Sequence, residues 1–281
     1  LGPRCHVMAV DAATGDFKWG LDLVSEYGTR VPPWHAGQCP LIDRGRVILA
    51  PGGAALLAAL DAETGAVVWE TPNPGGWGMT HGSVMPMDLA GRRMYVYSAG
   101  DATAGGVVGV DAETGRVLWS TSAWRQNINA PSPLPLGDGR VFLCAGEGCM
   151  MLRVRPAGAG FACEVLWFAS EQQTPIYYKG HLYGIPPQQA GPFSRRLVCL
   201  DPADGRRVWA SGKDVRIGPR GAGPYLIADG MLWALGDDGV LTRAAATAEG
   251  FRLIDRADVL DGEEAWGPMA LAAGRLLVRD Q

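Results

Sequence analysis

Short apolar runs alternate along this chain with polar turns built around a single glycine. PLIDRGRVILA centres on Gly45, MDLAGRRMYVY on Gly91, LPLGDGRVFLC on Gly139, IYYKGHLYGI on Gly180, LIADGMLWAL on Gly230 and MALAAGRLLV on Gly274. Each reads as a β-hairpin, two strands and a tight turn. The intervals between these glycines are 46, 48, 41, 50 and 44 residues. A second hairpin signal falls between them: AVDAATGDFKW (Ala9–Trp19), ALDAETGAVVW (Ala59–Trp69), GVDAETGRVLW (Gly109–Trp119) and CLDPADGRRVW (Cys199–Trp209). In this second type, the Asp side chain can accept backbone N–H groups two and three residues on, and the Gly can take the left-handed conformation that closes the turn. The repeating positions are Asp11, Gly15 and Trp19; Asp61, Gly65 and Trp69; Asp111, Gly115 and Trp119; and Asp201, Gly205 and Trp209. Arg153–Trp167 is a loosened copy that keeps Trp167, and Arg243–Ile254 keeps a Gly but has no Trp. A Trp at a fixed offset suggests an apolar plate wedged between neighbouring units.

Two hairpins per period of forty-odd residues make four strands per unit, the mark of a β-propeller. With the first hairpin type as strands A and B and the second as C and D, the chain opens on C–D and ends on A–B. The expected fold is therefore an all-β propeller of six four-stranded antiparallel blades. The ends would close it, residues 267–281 with 1–22, followed by blades at 38–71, 82–121, 131–169, 174–211 and 223–258. The alternative is a portion of a seven- or eight-bladed ring. One domain, 1–281, is expected, as a monomer.

Composition agrees. Forty Gly and 20 Pro in 281 residues, spread along the chain, are turn punctuation, and 47% hydrophobic residues supply a large core. A net charge of −4 gives no footprint for nucleic acid, and no run of 18 apolar residues offers a transmembrane helix. The chain starts at Leu1 with no leader, as a mature or trimmed product would. The six cysteines make no C-x-x-C motif. Cys144 and Cys149 flank a hairpin turn, where either a bridge or two buried thiols would fit.

The A-x-D-x-x-T-G-x-x-x-W pattern resembles the repeat of the pyrroloquinoline-quinone (PQQ)-type propellers. Residues 9–19 and 59–69 match it fully; Gly109, Cys199 and Asp204 are the departures in the other two copies. That superfamily includes quinoprotein alcohol dehydrogenases and the propeller lipoprotein of the bacterial outer-membrane β-barrel assembly machinery. The resemblance implies a periplasmic or cell-envelope setting. It carries fold further than function, since the repeat is a girdle that enzymes and scaffolds share.

Chemistry is expected in the segments that lead into each A strand, which a propeller gathers on one face. They carry Trp34, His35 and Gln38; Trp77, Thr80 and His81; Trp124, Gln126, Asn127 and Asn129; Glu171, Gln172 and Gln173; Arg216 and Arg220; and Glu263, Glu264 and Trp266. Aromatic plates with amides and charges suit a peptide, a carbohydrate or a protein loop. The competing reading is Trp as packing and amides as turn caps. The quinone site that the resemblance implies needs a vicinal Cys–Cys pair, a Trp, and Glu, Asn and Asp around calcium. Trp124, Asn127, Asn129 and Glu264 could serve, but no vicinal cysteines occur and aspartates are few in these segments, Asp214 among them. No cofactor is therefore expected, PQQ with calcium being the alternative. No metal is expected, His35, His81 and Glu264 being the candidates if one binds, and a hydrolase or lyase using the two histidines is a further alternative; no G-x-S-x-G elbow occurs. His6 and His181 sit within expected strands. Ser25–Trp34 is a longer D-to-A connection, either laid over the channel or a plain linker. The first functional expectation is a non-catalytic binding or scaffolding propeller, ahead of a quinoprotein-type dehydrogenase.

Overall fold

The computed structural model describes residues 1–145, 148–158, 160–169, 175–186, 191–220, 223–261, 264, 265 and 267–280. It is nearly all β. Among the described residues there are five four-stranded and two two-stranded sheets, each with its strands in chain order. The chain divides into two compact units, Leu1–Leu166 and Trp167–Gln281.

The first unit begins with the hairpin His6–Val10 and Phe17–Asp22. Its next sheet is Leu41–Asp43, Arg46–Leu49, Ala55–Asp61 and Val67–Pro72. The third is Met85–Leu89, Arg92–Gly100, Gly105–Asp111 and Val117–Thr121. The fourth is Leu134–Pro135, Arg140–Ala145, Gly148–Ala157 and Gly160–Ala169, the last strand running past the end of this unit. The second unit holds Ile176–Tyr178, His181–Gly184, Val198–Leu200 and Arg207–Ala210. Then come Tyr225–Ala228, Met231–Leu235, Val240–Ala245 and Leu253–Asp258, and the hairpin Ala270–Ala272 with Arg275–Leu277. The two end hairpins, expected to share a blade, each form a two-stranded sheet of their own.

The B and C strands are continuous apolar runs because both of their faces are covered. Val47 and Leu49 pack with Val7 and Trp19 of the first hairpin and with Leu23 just after it. Ile48, one residue between them, packs the other way with Tyr95, Tyr97 and Val108 of the third sheet. Met94 and Val96 face Leu143, Met150 and Leu152 of the fourth. In the second unit, Tyr183, Cys199 and Trp209 meet Leu232, Ala234 and Ala244. The D strands are half exposed; in Val67–Pro72 only Trp69 and Thr71 are buried.

The turns are built as their sequence dictates. Asp61 Oδ1 accepts the N–H groups of Glu63 (3.1 Å) and Thr64 (2.8 Å), and Gly65 closes the turn at φ 74°. Asp11 and Asp111 repeat the arrangement. In the fourth copy Asp204 replaces the Thr and does the same work: its Oδ1 accepts Arg206 N, as the hydroxyls of Thr14, Thr64 and Thr114 accept the N–H two residues on.

Each Trp then reaches the next turn. Trp19 Nε1 donates to Ala62 O (3.0 Å), Trp69 to Ala112 O (3.1 Å), Trp167 to Pro202 O (3.3 Å) and Trp209 to Thr247 O (2.8 Å). The first three rings lie directly over Gly65, Gly115 and Gly205, where a Cβ would fall within 2.6–2.8 Å of the indole. Trp119 is the exception. The loosened turn at Gly158 has no Asp at the anchoring position, and Trp119 folds over Gly109 of its own sheet, with Nε1 3.3 Å from Met94 Sδ. A Cβ at position 109 would lie 2.0 Å from that indole nitrogen, which accounts for Gly where other copies carry Ala.

Two local features exceed the sequence reading. The D-to-A connection starts with a one-turn helix, Leu23–Tyr27, capped by Asp22 Oδ1 on Val24 N and by left-handed Gly28. Cys144 and Cys149, paired across the hairpin, form a disulfide.

The turn carboxylates make stability depend on acid. Hydrogen bonds from the Thr64 hydroxyl and N–H, then from Glu63 N–H, hold Asp61 below the usual carboxylate range; the Thr14 and Ala13 N–H groups do so for Asp11. A depressed folded pKa contributes stability that is present above the unfolded value of about 3.9 and lost as pH falls through the folded one. The melting temperature should therefore be flat from neutral pH to about 5 and fall below about 4. Asp61→Asn should shrink that acid-dependent part, as thermal melts across the range would read.

Candidate functional site

In the first unit, the three segments that lead into A strands lie side by side. Cys39 N donates to the Ser83 hydroxyl (2.9 Å), Ser83 N to the Ser132 hydroxyl (2.9 Å), and Gly82 N to Asn129 O (3.0 Å). Of the ten residues singled out in them, Gln126 lends its backbone carbonyl to Asn129 Nδ2 (3.4 Å), and the other nine separate into scaffold and surface.

Five are scaffold. Gln38, buried, clamps the backbone of Ala50 through both ends of its amide (2.9 and 3.3 Å). Thr80 donates its N–H to Tyr97 Oη (2.8 Å) and its hydroxyl to Ser98 O (2.9 Å). Asn129 accepts from Trp124 Nε1 (3.0 Å) and the Ser98 hydroxyl (3.2 Å) on Oδ1, and donates to Gly100 O (3.0 Å). Trp124 is 2% exposed, a core residue rather than a plate for a ligand. Trp77 is half-buried against Gly75 and Gly106, where no Cβ would fit beside its ring. Expected as ligand contacts, Trp77 and Trp124 are both drawn into packing: glycines admit the one, which stays half-buried, and Asn129 captures the N–H of the other.

Four are surface. Trp34 stands 74% exposed, its ring 6.2 Å from that of His81. Trp34 and His35 are consecutive left-handed residues (φ 60° and 72°), a conformation that costs a bulky side chain of order 1–3 kcal/mol each and clusters at ligand clamps. Asn127 is exposed beside Ile128. Trp34, His81 and Asn127 line a cavity of about 330 Å³, floored by Met79, Thr80 and Asn129, within the size of small ligand sites. His35 is exposed and is not part of its lining.

The cavity contains residues that sequence reading missed: Pro32, Asp101 and Ile128. Asp101 lies in a B-to-C loop, DATAGG, whose composition reads as turn punctuation alone. Its Oδ1 accepts Thr103 N (2.7 Å) and Ala104 N (2.9 Å), and these bonds, Ala104 first, hold the carboxyl below its ordinary pKa. It is therefore an anion at neutral pH, and the charged carboxylate of the lining.

In the second unit, Arg220 and Glu264 are paired at 2.6 Å. Buried Asp237 braces both, accepting Arg220 N on its carboxylate (3.1 Å) and Glu264 N on its carbonyl (2.9 Å). Gln172, Gln173 and Trp266, with Glu171 and Glu263, lie outside the described residues.

Among the described residues the donor set does not fit a quinone with calcium, an ion that takes six to eight oxygens. Among the described residues no three His, Cys, Asp or Glu side chains gather as a metal-binding group. Trp124 and Asn129 are spent on each other, Glu264 is engaged with Arg220, and the Cys144–Cys149 bridge joins facing strands instead of adjacent residues.

Comparison with known proteins agrees with this architecture. Residues 3–211 match the protein family described as outer membrane protein assembly factor BamB. No curated protein matches the chain. Among solved structures, BamB from Moraxella catarrhalis superposes with a TM-score of 0.65 at 16% identity, covering 99% of this chain and 77% of that one. The quinohemoprotein alcohol dehydrogenase ADHIIG from Pseudomonas putida HK5 gives 0.58 at 13% identity, covering 98% of this chain and 59% of that one. The computationally designed Ika8 protein gives 0.54 at 11%, covering 98% and 87%. At these identities the structural likeness speaks for the β-propeller fold alone.

Proposed function

The chain belongs to the outer membrane protein assembly factor BamB family of PQQ-like propellers, and from that premise we propose that it is a non-catalytic binding propeller of the cell envelope. It holds a segment of a partner protein in the cavity of its first unit. The observation that carries this reading is Trp34, a large aromatic residue 74% exposed on a strained backbone beside a cavity. Exposed Trp at a concave, apolar-rimmed site is the usual anchor of a protein contact. Ile128, 42% exposed and part of the lining, extends the apolar rim. The Cys144–Cys149 disulfide suits an oxidising compartment such as the periplasm. The structural likeness extends also to an alcohol dehydrogenase, but of the residues named for its cofactor Trp124 and Asn129 bond each other and Glu264 pairs with Arg220, which favours the binding reading.

Site-specific photo-crosslinking in the host envelope tests the proposal. A benzophenone amino acid at Ile128 should yield one discrete protein adduct that Trp34→Ala removes, while the same probe at exposed Phe17, on a D strand, yields none. Equal adducts from both positions, or one insensitive to Trp34→Ala, would refute it. Trp34→Ala should leave stability within about 0.5 kcal/mol of the parent.

A further inference from the structure

We propose that the Trp34–Asp101 cavity takes a basic side chain of the partner, a guanidinium or ammonium whose apolar stem lies along the indole and whose charge sits beside the carboxylate. The inference rests on the reading above, that the cavity receives a protein segment, and adds the chemistry of that segment.

Charge comes first. Among the described residues no Lys or Arg lines the cavity, and Asp101 supplies its fixed charge. The two turn N–H groups occupy Oδ1; no hydrogen bond or ion pair from the described residues engages Oδ2, so an acceptor oxygen stays open. An anionic ligand would meet this carboxylate with no cation to offset it. A cation would gain a charge-assisted hydrogen bond.

The walls agree. Trp is the best of the aromatic faces for a cation, and Trp34 presents its ring freely. Met79, Pro32 and Ile128 provide apolar contact for the methylene stem that Lys and Arg carry below the charge. A carbohydrate would need several free hydrogen-bonding groups, yet Thr80 and Asn129 already spend theirs within the scaffold. The exposed apolar side chain of Ile128 in the lining points to a macromolecular source, since a free small amine would leave it bare.

The test uses the full chain at pH 8, where ordinary imidazoles are uncharged, with N-acetyl-Ala-Arg-Ala-amide as probe. Its citrulline counterpart is the neutral isostere, and methylguanidinium the small-cation arm. Isothermal titration calorimetry should show the arginine peptide binding at least tenfold more tightly than either comparator. Asp101→Asn, which still accepts the two turn N–H groups, should weaken it tenfold or more, and Trp34→Ala should abolish it. Equal binding of the citrulline peptide, indifference to Asp101→Asn, or no binding of the arginine peptide would overturn the basic-side-chain assignment. Methylguanidinium binding as well as the peptide would overturn the protein-segment source. A Trp34-dependent envelope adduct persisting beside such a failure would leave the binding proposal standing and sink this inference alone.

Discussion

Replacing Trp69 by alanine should lower unfolding free energy by about 3–5 kcal/mol, the range for truncating a buried Trp. The ring is 8% exposed, stacks near Tyr95 at a centroid distance of 6.2 Å, covers Gly115 and donates to Ala112 O. Truncation would open a cavity between two sheets and remove the N–H that fixes one against the next. Trp69→Phe keeps much of the apolar area and loses the hydrogen bond, so it should cost less, the difference measuring the cavity. Denaturant unfolding of the two variants reads both numbers. A Trp69→Ala midpoint indistinguishable from the parent would show that the inter-sheet contact does not carry stability.

Asn129→Ala should cost about 2–4 kcal/mol and empty the site of function at the same time. Removing the amide strands Trp124 Nε1, the Ser98 hydroxyl and Gly100 O inside the protein, and a buried group left without its partner costs roughly 1–3 kcal/mol. Relaxation and water would recover part of the sum. Asn129 also forms the floor of the cavity and ties the segment of Asn127 and Ile128 to the loop bearing Asp101. Binding of the arginine peptide should fall with stability in Asn129→Ala, whereas Trp34→Ala should lose binding alone. A variant as stable as the parent would mean that Asn129 is dispensable to the scaffold.

How far the sequence could be read follows from the range of the interactions concerned. The Asp–Gly turns are local: donor, acceptor and left-handed residue lie within five positions, so Asp61 and Gly65 announce their geometry. The Trp plate is legible for the same reason, as a fixed offset from that turn. The site is not local. Trp34, Trp77 and Trp124 look alike in sequence, and what separates them is distant in the chain: Gly106 makes room for Trp77, and Asn129 captures Trp124. Asp101 sits in a loop of ordinary turn composition, and its value depends on a cavity made by residues far from it. The helix at Leu23–Tyr27, a single turn, is too short for apolar periodicity to reveal and stands on its two caps.

Trp119 turns back on its own sheet, unlike its counterparts. At Trp19 and Trp69 in the first unit, and at Trp209 in the second, a directional bond ties one sheet to its successor. Between the third and fourth sheets the core is carried by aliphatic and thioether surfaces such as Met94, Val96, Leu143 and Met150, and such contacts tolerate sliding and rotation that a hydrogen bond forbids. On the D-strand side of this joint side-chain volume thus takes the place of the indole bond, so the irregular fourth hairpin is accommodated without a turn carbonyl to receive one.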